Sequence, residues 1–455
     1  MPQQNADERV RNFSEVPLGY TEELALEEAG RCLQCLKRPC VEGCPVRIRI
    51  PDFIKAIKEK DFQKAIEIIH EADCLPAVTG RVCPQEDQCQ KFCVLKKSNS
   101  PISIGGLERF VSDWDLKNRK KYHALDIKAT NKKLAVIGSG PAGLTCAAEL
   151  AKKGYAVDIF EGYHELGGVL VYGIPEFRLP KSIVAHEIEY LKSLGVNFSV
   201  NKLIGRVLTI QDLFAEGFSA IFIGAGAGLP KFMGIQGENL NGIYSANEFL
   251  TRVNLMKAYK FPEYHTPVRR GEIVAVIGGG NVALDAARTA LRLGAKKVYV
   301  VYRRSLDEMP AREDEITRAK EEGVEFKFLT NPVKYISDEK GFVKQVECVK
   351  MELAEPDASG RRRPVVVSGS EFKINIDEAI VAVGTTPNPI LSRTTPHLKV
   401  TTHGQIIVDA NLMTSIPGVF AGGDIVTGDA TVISAMAAGK KCAQSIDEYL
   451  KKHKN

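Results

Sequence analysis

The chain has 455 residues, 44% of them hydrophobic and 26% charged, with a formal net charge of +5. That length predicts about three domains with sizeable cores, and a charge so mild and dispersed excludes a nucleic-acid-binding surface. The opening MPQQNADERV is polar and no apolar run approaches the roughly 18 residues of a membrane span, so a soluble, cytoplasmic chain with no membrane partner is expected.

Residues 1–128 read as a helical domain. Thr21 is placed to cap a helix through TEELALEEAGRCLQC, and Ile54, Ile57, Phe62, Ile66 and Ile69 recur at near-helical spacing. Eight of the eleven cysteines also fall here. Cys32, Cys35, Cys40 and Cys44, followed by Pro45, have the spacing C-x2-C-x4-C-x3-C-P. This is close to the bacterial ferredoxin run, in which the fourth cysteine serves the other cluster. Cys83, Cys89 and Cys93 form a second group. In a cytoplasmic chain such clustering points to metal rather than to disulfides, and zinc motifs pair C-x2-4-C units more cleanly than either group does. Two cubane clusters need eight ligands and the groups supply seven, so the eighth is Cys74 or a nearby non-cysteine residue.

A polar stretch, KNRKKYHALDIKATNKK, then gives way to a pattern of apolar strand, glycine turn and helix. In VIGSGPAG, Gly138, Gly140 and Gly143 fit G-x-G-x-x-G: a tight turn, a close approach to a pyrophosphate, and close packing of helix on strand. Phosphates then sit on the N–H groups of the helix start. Glu161 closes the second strand, where a carboxylate accepts hydrogen bonds from ribose hydroxyls.

The pattern repeats at IVAVIGGGNVALDAARTALRLGAKKVYVVYRR, with Ala283 in place of the third glycine and Arg303-Arg304 where an acid would stand. A carboxylate there would repel a 2′-phosphate and guanidinium groups would pair with it, so the second site is read as the one for NADPH and the first as the one for FAD. A third glycine turn, Gly422-Gly423-Asp424, is expected to approach the flavin side. The fold class is therefore α/β, a helical iron–sulfur domain followed by two Rossmann-like dinucleotide-binding domains. The expected limits are 1–128, then 129–245 and 387–455 for a FAD domain in two parts, with the NADPH domain inserted at 246–386.

RVRNFSEVPLGYTEELALEEAGRCLQC, GRVCPQEDQCQKFC, ISIGGLERFVSDW, ELGGVLVYGIPEFRLPK, GGGNVALDAARTALRLGA and AGGDIVTGDATVISAMAAGKK carry a resemblance over nearly the full length. The chain resembles the glutamate synthase small-chain family. It is most similar to the large subunit of NADH-dependent ferredoxin:NADP oxidoreductase, an electron-bifurcating flavoprotein, and resembles the amino-terminal half of dihydropyrimidine dehydrogenase. The resemblance implies a crossed ligand scheme of two [4Fe-4S] clusters, with Cys32, Cys35, Cys40 and Cys93 on one and Cys44, Cys83, Cys89 and Glu108 on the other. Glu108 then becomes the eighth ligand and Cys74 a spectator. It further implies Gly138, Gly140, Pro141, Ala142, Gly143, Glu161, Gly168, Val169, Arg178, Gly423, Asp424, Thr431 and Val432 around FAD, Arg178 as a fixed cation for the reduced ring. Gly280, Asn281, Val282, Arg303, Arg304 and Gly384 are implied around NADPH.

The function this implies is electron transfer between NADPH, flavin and clusters, with no separate catalytic acid or base. No cysteine pair stands in the flavin region, so a disulfide reductase is not expected. The chain begins Met1-Pro2 and lacks the length for an amidotransferase and an FMN barrel, so it is not expected to make glutamate alone. A hetero-oligomer is expected. The partner is either a flavin and iron–sulfur chain that handles NAD, acting with ferredoxin, or the glutamate synthase large chain.

Overall fold

Thr21 opens the first long helix of the computed structural model, which describes residues 1–118, 128–357 and 360–453. Its backbone is extended and its hydroxyl accepts the Leu24 N–H at 3.3 Å, while Glu22 and Glu23 in the first turn suit the positive end of the helix. The helix, Glu22–Gly30, stops before Cys32 and so falls short of the predicted run through Cys35. The isoleucine stripe lies on two helices, Ile50–Lys58 and Phe62–His70. Between them Lys60 takes a φ of +60°, and Asp61 caps the second helix through the Lys64 N–H at 3.0 Å. Ile54, Ile57, Phe62, Ile66 and Ile69 are all buried, against the helix Ile104–Asn118 that carries Glu108. The expected limit at 128 adjoins residues 119–127, which lie outside the described residues.

Two parallel sheets of five strands follow. The first runs, in spatial order, Val419–Ala421, Phe218–Ile223, Lys133–Ile137, Ala156–Phe160 and Asn197–Ser199. The second runs Ile243–Ser245, Glu378–Val381, Ile273–Ile277, Lys297–Val301 and Glu325–Lys327. In each, the central strand leads through a glycine turn into a helix, Pro141–Ala151 or Asn281–Arg292. Gly138 has a φ of +98°, and a Cβ at Gly143 would stand 1.9 Å from the Gly138 carbonyl oxygen, so helix and strand touch here through hydrogen alone. The second turn admits the buried methyl of Ala283 at the matching place.

The chain crosses from the first sheet to the second and back, and the crossings pair as a short antiparallel ribbon, Leu229–Pro230 with Thr385–Thr386. A helix of 21 residues, Val432–Lys452, capped by Thr431, returns along Pro141–Ala151. An antiparallel sheet, with strands Thr330–Ser337, Val343–Pro356, Arg362–Val366 and Phe372–Asn375, grows from the second unit and is not anticipated in the sequence reading. Among the described residues no helix is long and apolar enough to cross a membrane.

Candidate functional site

The cysteines gather in two sets. Cys32, Cys35, Cys40 and Cys93 line one cavity of about 30 Å³, walled by Ile50, Pro51, Ile54, Leu95, Ile102 and Ile104. Cys93 enters this set from the second sequence group, because the short helix Val94–Ser98 begins directly after it. All four thiols are half-exposed, whereas Cys44, Cys83 and Cys89 are buried. Burial pushes the thiols of Cys83 and Cys89 well up, and the nearby Glu108 carboxylate pushes both further in the same direction. Cys44 is pushed up to about 11, by burial first, and also feels Glu108. The structure thus brings Cys44, Cys83, Cys89 and Glu108 into one electrostatic neighbourhood. A soft thiolate set with one carboxylate, in a dry pocket, fits iron–sulfur chemistry. As the side chains stand, no three His, Cys, Asp or Glu among the described residues are arranged around one metal ion.

Glu108 is buried and hydrogen-bonded to the Thr79 hydroxyl, whose oxygen also lies 2.8 Å from Asp73 Oδ2. Burial, and then the charge of Asp73, raises its pKa well above the ordinary range. Cys74 points elsewhere, its thiol 3.5 Å from the Thr145 hydroxyl on the first glycine-turn helix. Glu187, on the helix Lys181–Ser193 of the first parallel-sheet unit, accepts the Ala77 N–H at 2.7 Å and adds to the charge around Glu108, so the buried set lies beside that unit, and the half-exposed set is nearer solvent.

Around the first glycine turn, a Cβ at Gly140 would meet no atom within 4 Å, so the helix start opens onto free space. Gly168, with a φ of +55°, lies against it, where a Cβ would come within 2.8 Å of the Gly140 Cα. Val169 begins the short helix Val169–Tyr172 behind it. Gly423, with a φ of +80°, closes the other side, a Cβ there meeting Ala142 at 3.0 Å. Next to it Asp424 has a buried Oδ1 with no hydrogen-bond partner among the described residues. Burial, with Asp429 second, pushes Asp424 up to about 7. An open cradle beside an orphaned acceptor fits a diphosphate and hydroxylated ligand of the FAD kind. Glu161 is buried with its carboxylate already occupied, Oε2 by the Ser139 N–H at 3.0 Å and hydroxyl at 2.6 Å, Oε1 by the Tyr163 N–H at 2.9 Å. Thr431 caps the returning helix through Ser434, and Val432 is its first residue.

At the second turn a Cβ on Gly280 would likewise meet nothing within 4 Å, and Val282 is exposed on the first turn of the helix. The two arginines part company. Arg303 is exposed and makes no hydrogen bond or ion pair with any described residue. Arg304 is buried, its Nε donating to the Arg362 carbonyl at 2.8 Å and its Nη2 to Asp357 at 2.5 Å. An open cradle, with the exposed Arg303 two residues past the strand Lys297–Val301, fits a nucleotide bearing a 2′-phosphate, while Arg304 braces the antiparallel strands. Gly384 sits at the crossover, 3.2 Å from Asp429 when given a Cβ.

Arg178 is buried with Nη1 on both oxygens of Asp285, at 2.8 and 2.7 Å, and Nε 3.5 Å from Glu315. Its charge is thus compensated by carboxylates of the second unit, where the resemblance implied a fixed cation for a reduced flavin ring. The ion cluster continues: Arg288 pairs with Glu315 and Glu322, Arg292 with Glu322, and the fully buried Arg9 reaches Glu321 at 2.7 Å and Glu322 at 2.8 Å. Sequence reasoning missed Arg9, Asp285, Glu315, Glu322 and also Arg312, because none belongs to a motif whose spacing signals a partner.

Comparison with known proteins places these features. Residues 9–120 match the family described as dihydropyrimidine dehydrogenase domain II, 4Fe-4S cluster, and residues 132–439 match pyridine nucleotide-disulphide oxidoreductase. The chain is 41% identical over 91% of its length to the NADP(+)-dependent formate dehydrogenase subunit beta of Moorella thermoacetica, of which it spans 60%. It is 36% identical over 97% of its length to the glutamate synthase [NADPH] small chain of Escherichia coli K12, of which it spans 95%. In fold it is similar to Mycobacterium tuberculosis FprA in complex with NADPH, with a TM-score of 0.60 and 20% identity over 71% of this chain and 85% of that one.

Proposed function

The chain belongs to the glutamate synthase small-chain-like family, an NADPH-dependent FAD and iron–sulfur oxidoreductase subunit, and from that premise we propose a route for its electrons. NADP(H) is held at Gly280, Asn281 and Val282 with its 2′-phosphate on Arg303, and Gly384 stands at the hinge with the other unit. FAD is held at Gly138, Gly140, Pro141, Ala142 and Gly143, with Gly168, Val169, Gly423, Asp424, Thr431 and Val432 around its remainder. Two [4Fe-4S] clusters take Cys44, Cys83, Cys89 and Glu108 on the inside and Cys32, Cys35, Cys40 and Cys93 on the outside. When bound, the nicotinamide and flavin exchange hydride and the clusters carry single electrons. The chain's part is position. Its glycine turns aim N–H groups at phosphates, Asp424 accepts a hydrogen bond from a hydroxyl, and apolar side chains line the outer cysteine cavity.

The observation that carries this reading is the ordering of the cysteine sets, buried beside the first unit and half-exposed at the surface. Electrons leaving by the outer set require a partner chain. On the NFSEVPLGY stretch and the motifs around it, the assembly is read as an electron-bifurcating NADH/ferredoxin:NADP oxidoreductase, with this chain as the NADPH-handling subunit. A second reading, the electron-feeding small chain of NADPH-dependent glutamate synthase, is favoured by the 95% span of that relative.

Anaerobic NADPH titration followed by optical and EPR spectra, with and without co-purified partner chains, tests both. Bleaching of the flavin with a low-potential cluster reduced only when a second acceptor is present supports bifurcation. Flavin bleaching with no low-potential product under any condition supports the glutamate synthase reading. An NADPH-inert, colourless chain would sink the whole route.

A further inference from the structure

Arg312 stands immediately before the helix Glu313–Glu321 in the second parallel-sheet unit, yet its guanidinium leaves that unit. Nε donates to Glu86 Oε1 at 2.8 Å, and Nη2 donates to Glu86 Oε2 at 3.1 Å and to Gln85 Oε1 at 3.2 Å. These acceptors belong to the single turn Gln85–Asp87 that joins Cys83 to Cys89. The turn hangs on Gln85, whose carbonyl accepts the N–H groups of Gln88 and Gln90 at 3.1 and 3.0 Å and whose side chain is buried. At its other end Arg312 gives its own N–H to Asn281 Oδ1 at 3.1 Å. Asn281 is the first residue of the helix whose start opens onto the cradle at Gly280. One residue is therefore bonded both to the mouth of the nucleotide cradle and to the turn that aims two cysteines. A planar, forked guanidinium at 11% exposure transmits direction in a way that a flexible surface lysine does not.

We propose that Arg312 is a positioning residue that couples occupancy of the NADP(H) cradle to the Cys83–Cys89 turn. This rests on the reading above that the cradle takes NADP(H) and that these cysteines hold a cluster. A phosphate at the helix start is served by N–H donors, including those of Asn281, while the Asn281 oxygen stays on Arg312. Filling the cradle thus fixes Asn281, and through it the bearing of Arg312 on Glu86 beside the cluster. Coupling of this kind is reciprocal. Whatever factor the nucleotide applies to the reduction equilibrium of the cluster, reduction applies to nucleotide affinity.

The test uses the full chain with its clusters and FAD, and 2′-phospho-ADP-ribose as probe, since it has the phosphates of NADP and no nicotinamide to take hydride. EPR-monitored anaerobic titration gives the midpoint of each cluster with and without probe. Calorimetry gives probe affinity for oxidised and for dithionite-reduced protein. In the wild type one cluster's midpoint shifts on probe binding, a tenfold coupling corresponding to about 59 mV for one electron, and affinity changes by the same factor. Arg312→Met and Glu86→Gln, checked for unchanged cluster absorbance and unchanged probe affinity in the oxidised state, lose the shift, and Arg312→Lys keeps part of it. An unshifted wild-type midpoint, or an undiminished shift in both Arg312→Met and Glu86→Gln, overturns the coupling while leaving the functional reading intact. A wild type that holds no such cluster or ignores the probe overturns that reading, and the coupling with it.

Discussion

Arg178 and Asp285 meet across the boundary between the two parallel-sheet units, one guanidinium nitrogen contacting both carboxylate oxygens at 2.8 and 2.7 Å. Both side chains are buried, and Glu315 lies on the far side of the arginine at 3.5 Å. A buried pair of this sort contributes little net stability against an apolar pair of the same shape, yet removing one partner strands a charge at a cost of about 3–5 kcal/mol. With Glu315 still 3.5 Å from Arg178, Asp285→Leu alone is expected to lower unfolding stability in urea titration by up to that amount, and Arg178→Met with Asp285→Leu to recover most of the loss. A double variant no more stable than the single one would refute this account.

Glu108 and Cys74 are separated by the same logic. Glu108 shares a neighbourhood with Cys44, Cys83 and Cys89, whereas Cys74 contacts Thr145. Glu108→Ala is expected to change the EPR signal of one cluster and leave the other as it was, and Cys74→Ser to leave both. Two unaltered signals in Glu108→Ala would remove it from the ligand set.

The arginine pair should split by function. Arg303 is exposed and makes no hydrogen bond or ion pair with a described residue, and losing a charge-assisted contact to a phosphate costs about 1.5–3 kcal/mol. Arg303→Ala is expected to raise the KM for NADPH roughly 10- to 100-fold while leaving that for NADH nearly unchanged. Arg304→Ala, which releases Asp357 and the Arg362 carbonyl, is expected to show itself mainly as a lowered melting temperature. Equal nucleotide selectivity in Arg303→Ala and the wild type would reject the assignment.

Asp424 gives a pH signature. Its carboxyl is raised from an ordinary 3.8 to about 7, by burial first, so the folded state binds its proton more tightly than the unfolded chain does. The stability this contributes is fully present below the ordinary value and is lost as pH rises through about 7. In the FAD-free protein, the melting temperature difference between wild type and Asp424→Asn should therefore move against the wild type as pH climbs from 4 to 8. Added FAD, by donating a hydroxyl to the ionised form, should flatten that difference. A pH-independent difference without FAD would contradict the assignment.

The sequence by itself determined what neighbouring residues determine. Cysteine spacing and the strand–glycine–helix turns that carry Gly138 and Gly280 were legible, because turn chemistry and side-chain period are set within a few residues. The family resemblance added Glu108. Tertiary structure decided the rest. It split the isoleucine stripe at Lys60, where a left-handed residue and an Asp61 cap override the periodicity. It turned Arg304 into a brace while leaving Arg303 exposed. It also matched Arg178 with Asp285 and Arg312 with Glu86, residues 107 and 226 positions apart. A charge chooses such a partner only when burial removes water as the alternative, and burial is a property of the packed chain that no short window of sequence contains.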